Sequence, residues 1–298
     1  MKKIILLLLA LTNLLIINSC QKDIEAPINT VSVTDNVVPG GSTAIISGTI
    51  ECPVTITRIE LYIDIAEDMP NPTKYDIETT DNAFSLNISN LDLATTYYYK
   101  YKVYTSVDEM ELELEVRSFT TIGYVDLGLP SGLKWATCNI GATTPEDYGN
   151  YYAWGETTTK SEYTAENSVT QGQEISDFSG NAQYDAARAN WGGTWRMPTK
   201  AEMEELRDNC TWTWTTQNGV KGYRVTGTNG NSIFLPAAGD YENELRHSIG
   251  TCVYYWGSTP ADYGDSAFRI EDESYPHSNC NVDTGHRFHG HSVRPVSD

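Results

Sequence analysis

The chain has 298 residues, of which 40 are acidic and 20 basic, for a formal net charge of −20. Nucleic-acid binding depends on Lys and Arg neutralising backbone phosphates, so this balance argues against a nucleic-acid partner, while the acidity itself says nothing about fold. At roughly 100 to 200 residues per domain, the length allows one or two domains once a leader is removed.

The first twenty residues read "MKKIILLLLALTNLLIINSC", with Lys2 and Lys3 ahead of an apolar run from Ile4 to Ile17 that Thr12 and Asn13 interrupt. A spanning helix needs roughly 20 apolar residues, so residues 1–20 are expected to be a secretory signal peptide. Its exit, "INSC", resembles the bacterial lipobox, although Asn18 stands where Ala, Ser or Thr is usual. The resemblance implies that Cys20 is lipidated and becomes the first residue of the mature protein. At about 0.8 kcal/mol per buried methylene, several acyl chains hold a protein firmly at a membrane. Residues 21–27, "QKDIEAP", form an acidic tether. It is similar to the signal that sends Bacteroidota lipoproteins to the outer face of the outer membrane. The expectation is a lipid-anchored, surface-exposed protein, with the membrane as a partner through its lipid. Loss of Lys2 and Lys3 leaves 18 basic against 40 acidic residues, a balance of −22.

Composition then divides the chain. All seven tryptophans lie beyond residue 123, as do four of the five cysteines other than Cys20. Between residues 28 and 121, "INTVSV", "STAIISGTI", "ITRIELYID", "KYDIET", "AFSLNI", "YYYKYKVYTS" and "MELELEVRSF" give seven candidate strands, with "VVPGGS" and "EDMPNPT" as breakers. Short strands at this spacing predict an all-β sandwich. Leu112, Leu114 and Val116 alternate with glutamates, which predicts one wet face. "LDLATTYYYKYKVYT" looks like the tyrosine corner of fibronectin type III domains, with Leu91 six residues before Tyr97, and "SFTT" is similar to the close of their last strand. Such sandwiches serve as adhesion modules or spacers; a spacer is expected here.

In residues 122–298, "SEYTAENSVTQGQEISDFSG" reads as a long loop and "AQYDAARANW" as a short helix. Thr199 and Glu202 are spaced as a capping box, Glu202, Glu204 and Glu205 suit the positive end of a helix dipole, and Met203 and Leu206 share a face. "TWTWTT", "GYRVTGTNGNSIFLPAAG", "VYYWGSTP", "SAFRIED" and "HSVRPV" follow as strands, with a hairpin turn at "TNGNS". The sum is an α+β domain. "GLKWATCNIGATTPEDYGNYYAWGET", "GGTWRMPTKAEMEELRDNCTWTWTTQNGVKGY", "GNSIFLPAAG", "YYWGSTP" and "SVRPV" resemble the Fibrobacter succinogenes major paralogous domain. That family is similar to C-type lectin-like domains and, more distantly, to formylglycine-generating enzymes. On this resemblance "WGGTWRMPTKAEMEEL" is a signature of fold, with Trp195 packed beneath the helix that Pro198 and Thr199 start.

An exported chain meets an oxidising compartment, so Cys138, Cys210, Cys252 and Cys280 are expected in disulfides, with three connectivities open. The co-occurrence of motifs in the family implies Cys138 with Cys210 and Cys252 with Cys280, leaving Cys52 as a buried thiol or an intermolecular partner. Formylglycine-generating enzymes hold copper with a cysteine pair, whereas Cys280 has no close second, so no catalytic residue is expected. Cys280 with His286 would be a nucleophile and base, but a disulfide explains Cys280 better. The calcium-ligating triplets of sugar-binding C-type lectins are absent, and no cofactor is expected. His286, His289 and His291 have imidazoles suited to zinc, yet a polar surface strand explains them more simply, so no metal is expected. Trp154 and Trp256 sit beside glycines in loop-like stretches and are the candidate ligand anchors. The expected function is non-catalytic recognition or adhesion through a glycan or protein ligand. A structural cell-envelope protein is the alternative, and an enzyme of the formylglycine-generating type comes third. Binding predicts an exposed aromatic patch on the second domain; a structural role predicts buried tryptophans.

Overall fold

The computed structural model describes residues 31–107, 111–262, 264–274, 277 and 280–298. The leader, Cys20 and the tether fall outside the described residues.

The first unit contains β1 (Ser32–Pro39), β2 (Thr43–Glu51), β3 (Ile56–Asp64), β4 (Thr73–Asp76), β5 (Ala83–Ser89), β6 (Thr96–Thr105), β7 (Glu111–Glu113) and β8 (Arg117–Thr120). They form two antiparallel sheets, β1-β2-β5 and β4-β3-β6-β7, with β8 also paired to β6. Strict alternation along β6 sends Tyr97, Tyr99, Tyr101 and Val103 inward, as the two-residue period of a strand requires. They meet Ile46, Ile50 and Ile88 of the facing sheet in one core, so this unit is a β-sandwich. Asp35 fastens the two sheets: it accepts from Tyr99 Oη at 3.1 Å, Tyr101 Oη at 2.6 Å and Arg117 Nη1 at 2.6 Å. The corner at Tyr97 is formed, its hydroxyl accepting from the Asp92 N–H at 2.9 Å.

Two strands differ from the sequence reading. The first runs on through Val37, Val38 and Pro39, because β2 supplies pairing partners that local turn propensity does not reveal. Proline is tolerated there since β1 is an edge strand. The last strand splits into β7 and β8, the alternation lapses between them, and Val116 is exposed.

The second unit contains β9 (Tyr124–Asp126), β10 (Lys134–Ala136), α1 (Ala186–Trp191), α2 (Lys200–Asn209), β11 (Thr211–Gln217), β12 (Val220–Thr226), β13 (Ser232–Pro236), β14 (Asp240–Glu242), β15 (Leu245–His247), β16 (Val253–Pro260), β17 (Ser266–Asp272), β18 (Asn281–His286) and β19 (Val296–Ser297). Its sheets are β19-β10-β9, β11-β12-β13, β14-β15 and β16-β17-β18, all antiparallel. Thr199 caps α2 in a complete capping box with Glu202, and Met203 and Leu206 are buried beneath it. Arg196 forks onto Glu202 at 2.8 and 2.7 Å and also reaches Asp298 at 2.7 Å. The expected strand over residues 291–296 is reduced to β19, with single bridges at His291 and Ser292.

The expected disulfides are not formed. Cys138, Cys210, Cys252 and Cys280 are free thiols, as is Cys52. Cys138 belongs to the core cluster of Trp154, Trp191 and Trp195, whereas Cys210 packs against the separate cluster of Met203 and Leu206. Cys252 lies beside Tyr254, and Cys280 beside Asp272 and Glu271. Burial pushes the Cys210 thiol up to about 11, which keeps it protonated.

The two units are joined without a free linker. Ile122 N donates to Gly40 O at 2.7 Å, and Ser42 Oγ to Trp191 O at 3.1 Å. The Gly40–Gly41 turn lies on Trp191 and Trp195, and a methyl group on Gly41 would overlap the Trp195 indole nitrogen. Trp195 therefore serves the seam between units, and it belongs to the cluster of Trp191 and Cys138, not to that of Met203 and Leu206 beneath α2, where the sequence places it. Gly41→Val is expected to destabilise the chain by about 1–3 kcal/mol through overpacking and to split one thermal transition into two. A single transition at the wild-type temperature, followed by calorimetry on residues 21–298, contradicts this seam.

Candidate functional site

The tryptophans expected to bind ligand are core residues. Trp154 and Trp256 are both 0% exposed. Trp154 Nε1 donates to Gly257 O and Trp256 Nε1 to Tyr152 O, each at 2.9 Å. The Arg287 guanidinium lies 4.3 Å above the Trp154 ring, and Phe178 packs 4.6 Å from it. Trp135, Trp191 and Trp195 are buried too, while Trp212 and Trp214 are half-buried on one face, both edge-on to Tyr223. Glycine neighbours suggested loops in the sequence, but Gly155 packs closely on Thr170, and Gly257 on Met203 and the Pro198 carbonyl, so these glycines sit at tight contacts in the core.

The histidines also separate. His291 is fully buried between Tyr254 and Trp256, with Arg269 Nη1 2.9 Å from its Nε2. The guanidinium donates there, so Nε2 carries a lone pair and the ring is neutral. His289 faces Asp240 at 3.5 Å, and His286 is exposed. Among the described residues no three His, Cys, Asp or Glu side chains are placed to share a metal ion. Cys280 and His286 stand at opposite ends of β18, roughly 20 Å apart at the rise of a strand, too far to act as nucleophile and base.

A different group of side chains does converge at the surface. Tyr163 N donates to Asn243 O at 2.8 Å and Asn243 N to Tyr163 O at 2.9 Å, which ties the loop over residues 156–180 to the β14–β15 hairpin. Asn243 has a φ of 54° in the two-residue turn of that hairpin, a conformation asparagine tolerates. Tyr241 N and O exchange bonds of 2.8 and 2.9 Å with Gly290. Three tyrosine rings are thereby brought together. Tyr163 stacks on Tyr241 at 5.3 Å and 29°, and Tyr151 meets Tyr241 edge-on at 4.9 Å. Their hydroxyls are anchored behind the rings, Tyr163 Oη donating to Tyr151 O and Tyr151 Oη to Ala238 O, both at 2.6 Å.

In front of the rings is a cleft of about 260 Å³ lined by Asn150, Tyr151, Thr159, Lys160, Tyr163, Tyr241 and Arg246, with Gly149 at its edge. That is just below the roughly 300–1,000 Å³ typical of small-molecule sites, so it suits one ring or the end of a short chain. Lys160 Nζ bonds Glu156 at 2.9 Å and lies 5.4 Å from the Tyr163 ring. Arg246 is exposed, 5.9 Å from the Tyr241 ring, and its charge acts on the Tyr151 hydroxyl. Burial pushes Tyr151 up to about 12 in spite of Arg246, and Tyr163 up to about 12 as well. Both are neutral hydroxyls at physiological pH, serving as hydrogen-bonding groups and not as bases. No sequence signal marked this site, because its tyrosines are scattered from 151 to 241 and meet only through the hairpin.

No protein family and no curated relative matches the chain. Among solved structures, the sensor domain of the anti-sigma factor RsgI4 of Pseudobacteroides cellulosolvens is similar at 19% identity and a TM-score of 0.25, over 31% of this chain and 95% of that one. A computationally redesigned β-sandwich protein gives 23% identity and a TM-score of 0.24, over 30% and 88% of the two chains. Likeness at this level assigns neither architecture nor activity.

His291 makes the second unit sensitive to acid. Burial, with Arg269 and His289 nearby, holds its pKa well below the usual value of 6.5. Below that value the unfolded chain binds a proton that the folded chain refuses, so stability falls as pH drops, with a slope approaching about 1.4 kcal/mol per unit. Urea unfolding between pH 7.5 and 5 is expected to show the decline beginning near 6.5, and to show less of it in His291→Asn. A flat profile in the wild-type protein excludes a neutral buried His291.

Proposed function

We propose that this chain is a lipid-anchored protein of the bacterial outer membrane, facing outward, in which a fibronectin type III-like spacer carries a C-type lectin-like recognition domain of the Fibrobacter succinogenes major paralogous kind. The lipobox at Cys20 and the acidic tether support the anchoring. The Tyr97 corner supports the type III reading of the sandwich. Among the described residues no helix is long and apolar enough to cross a membrane.

The observation that carries the recognition role is the tyrosine cleft at Tyr151, Tyr163, Tyr241, Lys160 and Arg246. It offers the partly exposed ring of Tyr241, backed by the buried Tyr151 and Tyr163 and flanked by polar groups, and an aromatic side chain so placed can serve recognition. The site is non-catalytic, and its ligand is a glycan or a protein segment. A second reading, a structural envelope protein with no ligand, draws on the five buried tryptophans.

Binding of residues 21–298 to an array of host and plant glycans is expected to be saturable and to be lost in Tyr241→Ala, whose fold is checked by an unchanged circular dichroism spectrum at about 25 °C because loss of its packing on Tyr151 and Tyr163 lowers the melting temperature. Silence across glycans and across a pull-down of surface proteins favours the structural reading. Cys20→Ser is expected to release the protein from the membrane fraction, and protease added to intact cells to digest the anchored form; full resistance excludes the outward orientation.

A further inference from the structure

The tyrosine cleft has a charge character opposite to that of the chain. The whole sequence has twice as many acidic as basic residues, yet the cleft is lined by Lys160 and Arg246 and by no carboxylate. Asp240 and Glu242 of the β14–β15 hairpin are turned away. Tyr241 pairs with Arg246 across the hairpin, while Asp240 pairs with His247 and Glu242 with Leu245, and adjacent pairs lie on opposite faces. Asp240 is directed to His289 instead, at 3.5 Å.

The charged side chains at the cleft are donors, and Asn150 and Thr159 add groups that can donate or accept. Arg246 makes no ion pair among the described residues and stands near the Tyr151 hydroxyl, so most of its five N–H groups are available to a ligand. Lys160 is ion-paired with Glu156 Oε1 at 2.9 Å and bonded to Asn167 O at 3.3 Å, which leaves it one donor and leaves Arg246 as the cationic lining residue of the cleft whose charge no described carboxylate meets. A neutral sugar presents donors and acceptors alike and is met by carboxylates and amides together. A cleft rich in cationic donors instead suits an acceptor-only group, which Arg binds with a planar fork. The negative charge elsewhere is screened beyond roughly 8 Å at physiological ionic strength.

Building on the recognition role proposed for this cleft, we infer that its ligand is an acidic oligosaccharide, one carrying a carboxylate or sulfate that Arg246 and Lys160 hold while Tyr241 packs against the sugar ring. The test is binding of residues 21–298 to uronic-acid, sialylated and sulfated oligosaccharides beside their methyl-esterified, reduced or desulfated counterparts. The acidic members are expected to bind about tenfold or more tightly than the neutral ones, and Arg246→Gln, at an exposed position, to remove that preference with no change in melting temperature. Carboxylated and sulfated probes in separate arms tell the two anions apart. Equal binding of acidic and neutral members, or binding undiminished in Arg246→Gln, overturns the inference and leaves a neutral-glycan lectin standing. Absence of binding to every glycan overturns both the inference and the glycan form of the recognition role.

Discussion

The Arg294 guanidinium is buried with no ion pair among the described residues, and much of the second unit is arranged around satisfying it. Its Nε donates to Asn139 Oδ1 at 2.8 Å, Nη1 to Ala136 O and Thr137 O at 3.0 Å, and Nη2 to Phe234 O at 2.8 Å. Hydrogen bonds to a charged group contribute about 1.5–3 kcal/mol each, and together they offset a desolvation cost of several kcal/mol that an unsatisfied charge would incur. Arg287 repeats the arrangement nearby, bonding Thr170 O at 3.0 Å and Gln173 O at 2.8 Å across the face of Trp154. These two side chains are how a unit with two short helices and long stretches of irregular chain maintains a defined shape. Carbonyls of the loop over 170–173, of Thr137 and of strand residues Ala136 and Phe234 are spent on arginine.

The tyrosine cleft depends on this scaffold at one remove. Arg287 fixes residues 170–173, at the far end of the loop whose near end carries Lys160 and Tyr163. His291, the residue after the paired Gly290, exchanges backbone bonds of 2.9 and 3.0 Å with Tyr152, the neighbour of Tyr151. The recognition surface is thus assembled from loops held from behind by buried polar groups, an arrangement in which loop sequence can vary while its placement does not.

How much of this the sequence disclosed depended on range. The capping box joins residues three apart and the Tyr97 corner joins residues five apart, so both were legible. So were Met203 and Leu206, and the strands at "VYYWGSTP" and "SAFRIED", where apolar runs end at clear turn residues. The three-residue strands β9 and β10 were not, being too short for any period to show. Trp154 and Trp256 were misread because burial is set by Phe178, Arg287 and His291, which lie up to about 130 residues away. The cysteines failed for the same reason, since which cluster each joins is a long-range fact. Nothing local marked Tyr151, Tyr163, Tyr241 and Arg246 as one site.

Arg294 also sets an order of events. All four of its acceptors precede it, the nearest by 60 residues and the farthest by 158. A chain leaving the ribosome amino end first presents those carbonyls long before the side chain that satisfies them exists. The first unit has its whole core by Phe119 and can close early, whereas the second must stay open until Arg294 emerges. Contacts of such long range are slow to form, and the delay keeps the second unit pliable through synthesis.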